Sequence, residues 1–335
     1  MHTMRCHYCD QGCNLDEGKT GICGTYHLSE GRVLERFPYR WSSYFASHIE
    51  SLPFFHAYPG SRALLVGTAG CNASCRYCSN AYVARTDPAT FRYFQMEPEA
   101  LVRKARLASC HSIIFGINEP TVSFPSFRDL ALAAHAAGLQ AGCLTNGCMT
   151  GTVAEEMAQV CDFVNLSVKS LSEEFYRDYI GIDAAKTVLR NLKTLAAGCH
   201  VEVTTPIIQS VNDIEIPEIA AFIRSIDSNI PWHVFRLLPE YEMKDERYPD
   251  IEEITSLLTG ACKHLPYIYF SNFAGSQWTD TRCPSCGRAV ITRISPGGCG
   301  AKLTGYHLDG DRCPTCGTKI PVLGGHRPWD QEGTA

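Results

Sequence analysis

The 335-residue chain is 45% hydrophobic, carries a formal net charge of −5 and has a pI near 6.2. This weakly acidic balance argues against nucleic acid or an anionic membrane surface as a partner. No segment approaches the ~18 consecutive apolar residues of a membrane span, and residues 1–6 lack the apolar core of a signal peptide, so we expect a cytoplasmic protein.

Cysteine is the most unusual feature of the composition, with 18 residues in the chain. Ten of these cysteines stand in C-x2-C or C-x3-C spacings. A reducing compartment favours metal sites over disulfides at such spacings. The chain length allows one large α/β domain with small appendages, or two ordinary domains.

The first predicted metal site is an N-terminal cysteine set, made of Cys6, Cys9, Cys13 and Cys23. Nearby glycines allow the tight turns that would bring the four thiolates together. Four thiolates can hold a zinc ion or an auxiliary [4Fe-4S] cluster, and the spacing does not choose between them. A reduced loop without metal is the alternative.

A cysteine loop, residues 71–78, follows the apolar run at 63–66 and contains Cys71, Cys75 and Cys78. Three cysteines in a C-x3-C-x2-C loop can hold three irons of a [4Fe-4S] cluster and leave the fourth iron without a protein ligand. An open iron lets a cluster bind a small molecule and act on it. A structural zinc knuckle or a chance spacing is the alternative.

The middle of the chain alternates short apolar runs with amphipathic helical patterns, which favours parallel strands and right-handed crossovers. One helix begins at Pro98, one is capped by Asp183 and ends at Gly198, and one follows Pro217. Six βα units are too few for a closed eight-stranded barrel, and a doubly wound sheet also fits the pattern. The predicted strands are 63–67, 112–116, 140–144, 163–168, 200–205 and 232–235.

Polar residues recur where these predicted strands end. In parallel α/β folds the carboxyl ends of the strands meet at one edge, where functional groups collect. We therefore expect a site at this edge, together with the cysteine loop. The polar candidates are Asn118, Glu119, Thr145, Asn146, Ser167, Lys169, Thr205 and His233.

The last motif is a C-terminal cysteine set, Cys283, Cys286, Cys313 and Cys316, arranged as two Cys-Pro-x-Cys-Gly knuckles. Four sulfur ligands with no open position predict a structural metal, most often zinc. The same knuckle form also suits rubredoxin-like iron.

These motifs carry a family resemblance that covers nearly the whole chain. The cysteine loop resembles the signature of the radical S-adenosylmethionine (SAM) enzymes, with Tyr77 as the aromatic residue before the third cysteine. Within that superfamily the chain resembles the pyruvate formate-lyase activating-enzyme branch and, most specifically, the AmmeMemoRadiSam system subgroup. The matching segments are 5–24, 59–61, 70–80, 118–121, 145–147, 172–176, 201–205, 231–233 and the two C-terminal knuckles.

The resemblance implies an α/β fold containing an open, partial (β/α)6 TIM-like barrel of the radical SAM type over residues 59–275. An N-terminal cysteine-rich extension (1–58) and a C-terminal zinc-ribbon or rubredoxin-like module (276–335) would flank the barrel.

The resemblance also implies roles for the strand-end residues, with SAM chelating the open iron through its amino and carboxylate groups. Glu119 would orient the SAM amino group, and Lys169 would pair with its carboxylate. Thr145 and Asn146 would contact the ribose or the methionine portion, and His233 would face the ribose or the cofactor from the sixth strand. The alternatives are a rim salt bridge between Glu119 and Lys169, and a core role for His233.

Tyr77, Asn118, Ser167 and Thr205 complete the predicted SAM contacts. The chain departs from the family pattern at two positions, because Ser167 stands where relatives have the aspartate of Asp-x-Lys, and Ser79 stands where close relatives often have glutamine. Both departures lie near the expected cofactor, so the family's substrate is not carried over to this chain.

The function implied is reductive cleavage of SAM to a 5′-deoxyadenosyl radical, which abstracts hydrogen from an unknown small-molecule, peptide or protein substrate. Activation of a glycyl-radical enzyme is the alternative reaction. A metal-stabilised binding or electron-transfer protein without catalysis is the alternative from another class. The expected partner is an electron donor of the flavodoxin or ferredoxin type.

Overall fold

The computed structural model describes residues 3–328 of the chain. These residues form an α/β protein that divides into two compact units. The first unit contains the described residues up to Ala46, with Leu64–Cys199 and Leu238–Arg247. The second contains Ser47–Ala63, His200–Leu237 and the described residues from Tyr248 onward. The domain boundaries after residues 58 and 275 stay predictions.

The strands in chain order are β1 (Met4–Arg5), β2 (Asn14–Leu15), β3 (Tyr26–Ser29), β4 (Arg32–Glu35), β5 (Arg40–Trp41), β6 (Ser43–His48), β7 (Arg62–Gly67), β8 (Phe94–Gln95), β9 (Ser112–Phe115), β10 (Gln140–Thr145), β11 (Phe163–Ser167), β12 (His200–Ile207), β13 (Trp232–Arg236), β14 (Ile268–Phe270), β15 (Thr281–Arg282), β16 (Ala289–Ile294) and β17 (Lys302–Tyr306). The α-helices are α1 (Ala81–Ala84), α2 (Pro98–Leu107), α3 (Phe124–Ala136), α4 (Gly151–Val160), α5 (Glu173–Phe175), α6 (Ala185–Gly198), α7 (Ile216–Ile226) and α8 (Ile251–Ala261).

In the first unit, β7, β9, β10 and β11 lie side by side in that order, and β10 pairs in parallel with both β9 and β11. Helices α2, α3 and α4 alternate with these strands along the chain. Helix α2 begins at Pro98 as predicted, because proline suits the first helical position, where its missing N–H is not needed. Its Leu101, Val102 and Ala105 are buried on one face, at helical spacing.

The start of α6 differs from the prediction. Asp183 was expected to cap this helix, but the residue before the first turn is Ala184, which makes no side-chain cap. The Glu173 carboxylate instead accepts hydrogen bonds from the backbone N–H groups of Ala185 (2.9 Å) and Lys186 (3.0 Å). A carboxylate from an earlier helix therefore satisfies the free N–H groups of α6, which local sequence does not reveal.

In the second unit, β13 pairs in parallel with β12 and β14, and α7 and α8 alternate with these strands along the chain. Strand β14 was not predicted, because three residues are too few to show a periodic pattern. Strands β15, β16 and β17 form a separate antiparallel sheet that carries the C-terminal cysteine set. Between residues 3 and 328, no helix combines the length and the apolar character needed to cross a membrane.

Candidate active site

The cysteine loop follows β7, and the Asn118 side chain holds the segment that connects the two. The Asn118 side chain accepts a hydrogen bond from the Thr68 backbone N–H (2.9 Å) and donates one to the Gly70 carbonyl (3.0 Å). Gly70 has a φ of 86°, and a Cβ there would lie 2.8 Å from the Cys23 carbonyl oxygen, so this turn requires glycine. Asn118 thus supports the loop, while its contact with SAM stays a prediction.

The three thiols of the loop are half-buried. Burial, followed by the charge of Glu119, raises the pKa of the Cys71 thiol well above its usual range. Burial and the neighbouring Cys75 also raise the pKa of Cys78. Thiols in such surroundings ionise readily only when a bound metal offsets the negative charge. The donor set therefore fits an iron–sulfur cluster, which thiolate ligands select.

Asn146, at the end of β10, reaches the loop directly. Its side-chain amide donates a 2.8 Å hydrogen bond to the Asn72 side-chain oxygen and lies 3.7 Å from the Cys71 sulfur. The Asn146 side-chain oxygen accepts a 2.9 Å hydrogen bond from the Cys148 backbone N–H, which fixes the orientation of the amide. The structure thus brings Asn146 and Cys71 together, as the strand-end prediction requires.

Asn72 is a site residue that the sequence reasoning missed. It is buried and lies between the Cys71 thiol and the Asn146 amide. The only signal was its position as a polar residue inside the cysteine loop, where it reads equally well as a turn residue.

Glu119 is buried and accepts hydrogen bonds from four donors. Its Oε1 atom accepts from the Thr121 backbone N–H (3.1 Å), the Thr121 hydroxyl (2.6 Å) and the Thr145 hydroxyl (2.8 Å). Its Oε2 atom accepts from the Asn146 backbone N–H (2.7 Å) and keeps capacity for a further donor. Burial raises the pKa of Glu119, and these hydrogen bonds lower it in part. The carboxylate therefore ties the end of β9 to the end of β10.

Lys169 and Tyr77 lie together beside the loop cysteines. The Lys169 Nζ atom is 5.6 Å from the centroid of the Tyr77 ring, within cation–π range. Burial acts to lower the pKa of Lys169, but Cys75 and other neighbouring acidic groups hold it above its usual value. The Tyr77 hydroxyl is buried and has no hydrogen-bond partner among the described residues. An orphaned polar atom and a lysine ammonium beside the thiols fit a polar cofactor that carries a carboxylate.

The remaining predicted SAM contacts occupy two different settings. Ser167 ends β11 in the first unit and is half-buried. Thr205 and His233 belong to β12 and β13 of the second unit. The Thr205 hydroxyl accepts a 2.9 Å hydrogen bond from the Trp232 indole N–H, and the His233 Nε2 atom lies 2.6 Å from a Glu202 carboxylate oxygen. Their predicted roles at SAM stay predictions.

Glu202 organises the buried polar cluster around His233. Its carboxylate accepts hydrogen bonds from the Phe55 N–H (2.9 Å) and the His56 N–H (2.8 Å), and it also contacts the His200 ring (3.2 Å). Although burial alone would raise the pKa of Glu202, its histidine contacts hold it well below the usual range. The signal in the sequence was a single carboxylate within an apolar strand, which predicts a paired buried charge.

The C-terminal cysteine set is a compact four-sulfur group. All four Sγ atoms lie within 4.8 Å of one another, with Cys283 and Cys316 at 3.5 Å and Cys286 and Cys313 at 3.6 Å. Gly287 and Gly317 follow the two knuckles with φ angles of 74° and 73°, so each knuckle closes through the same left-handed turn. This group can bind one metal ion, and tetrahedral coordination at a Zn–S distance of ~2.3 Å would space its sulfurs ~3.8 Å apart.

Three cysteines of the N-terminal set lie in or against one small core. Cys6 and Cys23 belong to a small core with Leu15 and Tyr26, and Cys13 packs against that core. Cys9 is buried as well. Burial raises the pKa of Cys6 to about 11 and that of Cys9 to about 12.

Residues 65–223 match the family profile of the Radical SAM superfamily. The matched range covers a little under half of the chain. The matched range includes the three loop cysteines, Glu119 and Lys169, so the contacts around the cysteine loop lie inside it. The match supports an enzyme of the oxidoreductase type, and this superfamily implies a [4Fe-4S] cluster and SAM as cofactors.

Two further comparisons extend beyond residues 65–223. The chain is 29% identical over 326 residues to the uncharacterized protein MJ0808 of Methanocaldococcus jannaschii, and the alignment covers 96% of each protein. The fold is similar to that of Streptococcus suis SuiB bound to S-adenosylmethionine, with a TM-score of 0.50 and 16% identity. That match covers 62% of this chain and 50% of SuiB, so the matched part spans about half the length of SuiB.

Proposed function

We propose that this protein reductively cleaves SAM at a [4Fe-4S] cluster bound by Cys71, Cys75 and Cys78. When bound, the cluster and SAM supply an electron and a 5′-deoxyadenosyl radical that abstracts hydrogen from the substrate. The substrate is a small molecule, a peptide or a protein. The observation that carries the proposal is the Asn146–Asn72–Cys71 contact, which connects a strand-end residue to a cluster thiol inside a radical SAM domain.

The residues around the loop have distinct tasks in this proposal. Lys169 offers a cation to the SAM carboxylate, because its pKa lies above its usual value beside the loop thiols. The Glu119 Oε2 atom, with one protein donor, accepts from the SAM amino group. Asn146 and Thr145 are held in place by the same carboxylate and face the ribose or methionine portion.

The finer assignments of the architecture belong to the same proposal. We place the chain in the AmmeMemoRadiSam system subgroup, with an open (β/α)6 partial barrel. The compact spacing of the C-terminal cysteine set supports a zinc ribbon, since structural zinc takes four ligands at such distances. The two cysteine sets outside the loop support direct modification of a substrate over activation of a glycyl-radical enzyme. In either reaction, a ferredoxin or flavodoxin supplies the electron.

The test is SAM turnover by the full-length protein. The chain is reconstituted anaerobically with iron and sulfide, reduced with dithionite and incubated with SAM, and 5′-deoxyadenosine is measured by chromatography. We expect product from the unmodified chain and none from Cys71→Ala, Cys75→Ala or Cys78→Ala, because each variant removes one iron ligand. Cys262→Ala is the matched control, since Cys262 is an exposed cysteine outside the three cysteine groups.

Product from the variant lacking all three loop cysteines would contradict the cluster assignment. Absence of product from the unmodified chain, with the cluster present by Mössbauer spectroscopy, would contradict the proposed reaction itself.

A further inference from the structure

The N-terminal cysteine set is held by its own local hydrogen bonds. Strands β1 and β2 pair Arg5 with Asn14, and the Cys6 backbone N–H donates a 2.8 Å hydrogen bond to the Cys13 carbonyl. These pairings bring together the segments that carry Cys6 and Cys13. Two sulfur atoms also accept hydrogen bonds, Cys13 from the Ile22 backbone N–H (3.5 Å) and Cys23 from the Thr25 hydroxyl (3.1 Å). Such donors stabilise thiolate ligands and tune cluster potentials.

The spacing of the N-terminal sulfurs differs from that of a single-ion site. Among residues 3–328, the C-terminal cysteine set is the only group that brings three or more potential ligand atoms within 4.8 Å of one another. No three of the N-terminal thiols meet that distance, and neither do the three loop thiols. In a cubane cluster each thiolate binds a different iron corner, so the sulfurs lie farther apart than around one ion. The N-terminal set and the loop both therefore lack the single-ion spacing of the C-terminal set, as a cubane site requires.

Asn72 connects the N-terminal set to the loop. Its side chain accepts a hydrogen bond from the Cys71 thiol at 3.8 Å, and it lies near enough to the Cys9 thiol to lower the pKa of that thiol. The Gln11 side chain donates a hydrogen bond to the Asn72 carbonyl (3.3 Å), and Cys9 forms an antiparallel bridge with Met149. One buried residue therefore contacts the Cys71 thiol and lies beside the Cys9 thiol.

A second contact lies at the other end of the N-terminal set. The Cys23 carbonyl oxygen is so close to Gly70 that a Cβ at this glycine would lie 2.8 Å from it. The backbone around Cys23 thus packs directly on the residue that precedes Cys71. Two of the N-terminal cysteines, Cys9 and Cys23, border the cysteine loop through independent contacts.

We propose that Cys6, Cys9, Cys13 and Cys23 bind a second [4Fe-4S] cluster in electronic contact with the loop cluster through Asn72. A reduced ferredoxin or flavodoxin loses one electron to the second cluster, which takes its reduced state. The second cluster returns to its oxidised state when that electron passes to the loop cluster. The relay rests on the proposed function, because its electron acceptor is the loop cluster. The identity of the second cluster does not depend on that function.

The identity is tested with the variant Cys71→Ala/Cys75→Ala/Cys78→Ala, reconstituted anaerobically with ferrous iron and sulfide. We expect it to retain about four iron ions per chain, with the Mössbauer doublet of a [4Fe-4S] cluster. Adding Cys9→Ser and Cys13→Ser should remove this iron, and adding Cys262→Ala should not. A mononuclear iron at the C-terminal set is distinguished by its own high-spin signal. Zinc at the N-terminal set, or no cluster iron in the triple variant, would overturn the proposal.

The contact is tested by electron paramagnetic resonance of the reduced full-length protein. Two neighbouring paramagnetic clusters should broaden each other's signals, so the spectrum should differ from the sum of the two single-cluster variants. A spectrum equal to that sum would overturn the contact.

The relay is tested by comparing reductants in the Cys9→Ser/Cys13→Ser variant. Its ferredoxin-driven formation of 5′-deoxyadenosine should fall at least ~10-fold further than its dithionite-driven formation. Equal losses would overturn the relay. If the unmodified chain makes no 5′-deoxyadenosine with either reductant, the proposed function fails while the iron count still decides the second cluster.

Discussion

The Asn146 side-chain amide donates a 2.8 Å hydrogen bond to the Asn72 side-chain oxygen, which joins the end of β10 to the cysteine loop after β7. The two residues are 74 positions apart in the chain, and both are buried. Through this bond a residue of the predicted cofactor edge helps to orient a neighbour of the Cys71 thiol. The bond is therefore a point where a small change should alter the cofactor site without unfolding the strands.

The first prediction concerns this amide. Asn146→Asp replaces the donor with a second oxygen that faces the Asn72 oxygen and the Cys71 sulfur, so repulsion should move the loop. We expect 5′-deoxyadenosine formation to fall by about 10-fold or more, measured after normalising to cluster iron. Asn229→Asp, at an exposed turn, is the matched control. Unchanged turnover in Asn146→Asp would show that the contact does not position the site.

The second prediction concerns the Glu119 carboxylate. Glu119→Gln leaves one acceptor oxygen for the four hydrogen-bond donors that now share two. The new NH2 group faces the donors of the replaced oxygen, so those buried donors lose their acceptor. We expect the free energy of unfolding of the first unit to fall by about 2–4 kcal/mol. Urea denaturation followed by near-ultraviolet circular dichroism measures the change. A midpoint equal to that of the unmodified chain would contradict the four-donor arrangement.

The third prediction is a pH dependence that arises from Glu35. This side chain accepts hydrogen bonds from the Ser126 hydroxyl and backbone N–H, and burial raises its pKa from 4.5 to about 7, with a smaller contribution from Asp129. Between these two values the folded state keeps a proton that the unfolded state releases. The free energy of unfolding should therefore decrease as the pH rises from 4.5 to 7, by at most about 3 kcal/mol.

Denaturation of the full-length protein at several pH values checks this dependence. Glu35→Gln keeps a neutral side chain at this position and should flatten the curve between pH 4.5 and 7. Glu155→Gln, which changes an exposed glutamate on α4, should leave the slope unchanged. A slope that persists in Glu35→Gln would assign the pH dependence to other groups.

The fourth prediction concerns the metal of the C-terminal cysteine set. Cys283 is buried in a core with Phe55, Tyr267 and Tyr269, so loss of its ligand bond should loosen that core. For Cys283→Ala we expect the loss of one metal ion per chain and a fall of roughly 10 °C in the melting temperature of the second unit, from a loss on the order of 4 kcal/mol. Elemental analysis and calorimetry measure both effects. Cys299→Ala changes an exposed cysteine and should alter neither.

Several elements of the fold were predictable because the information is local. Proline at the first helical position marks the start of α2, and the predicted strands at 112–116 and 140–144 appear as β9 and β10. The C-terminal cysteine set was equally predictable from the sequence, since a Cys-Pro-x-Cys-Gly knuckle closes through a turn set by its own glycine. These features depend on a few neighbouring residues, and the sequence shows the spacing of those residues directly.

The supports of the site were not predictable in the same way. The Glu119 carboxylate takes two donors from Thr145 and Asn146, more than 25 residues later, and Glu173 in place of Asp183 satisfies the first turn of α6. Asn72 could be read as a turn residue until its neighbours were known. Each of these roles depends on which segments the fold brings into contact.

Sequence spacing by itself determined that the four C-terminal cysteines form one group, because each knuckle is a turn of consecutive residues and its geometry is short-range. Only the tertiary structure decided that Asn72 contacts both the Cys71 thiol and the Asn146 amide. Those contacts arise when strands and loops distant in sequence pack against one another to bury apolar surface, and no local pattern records them.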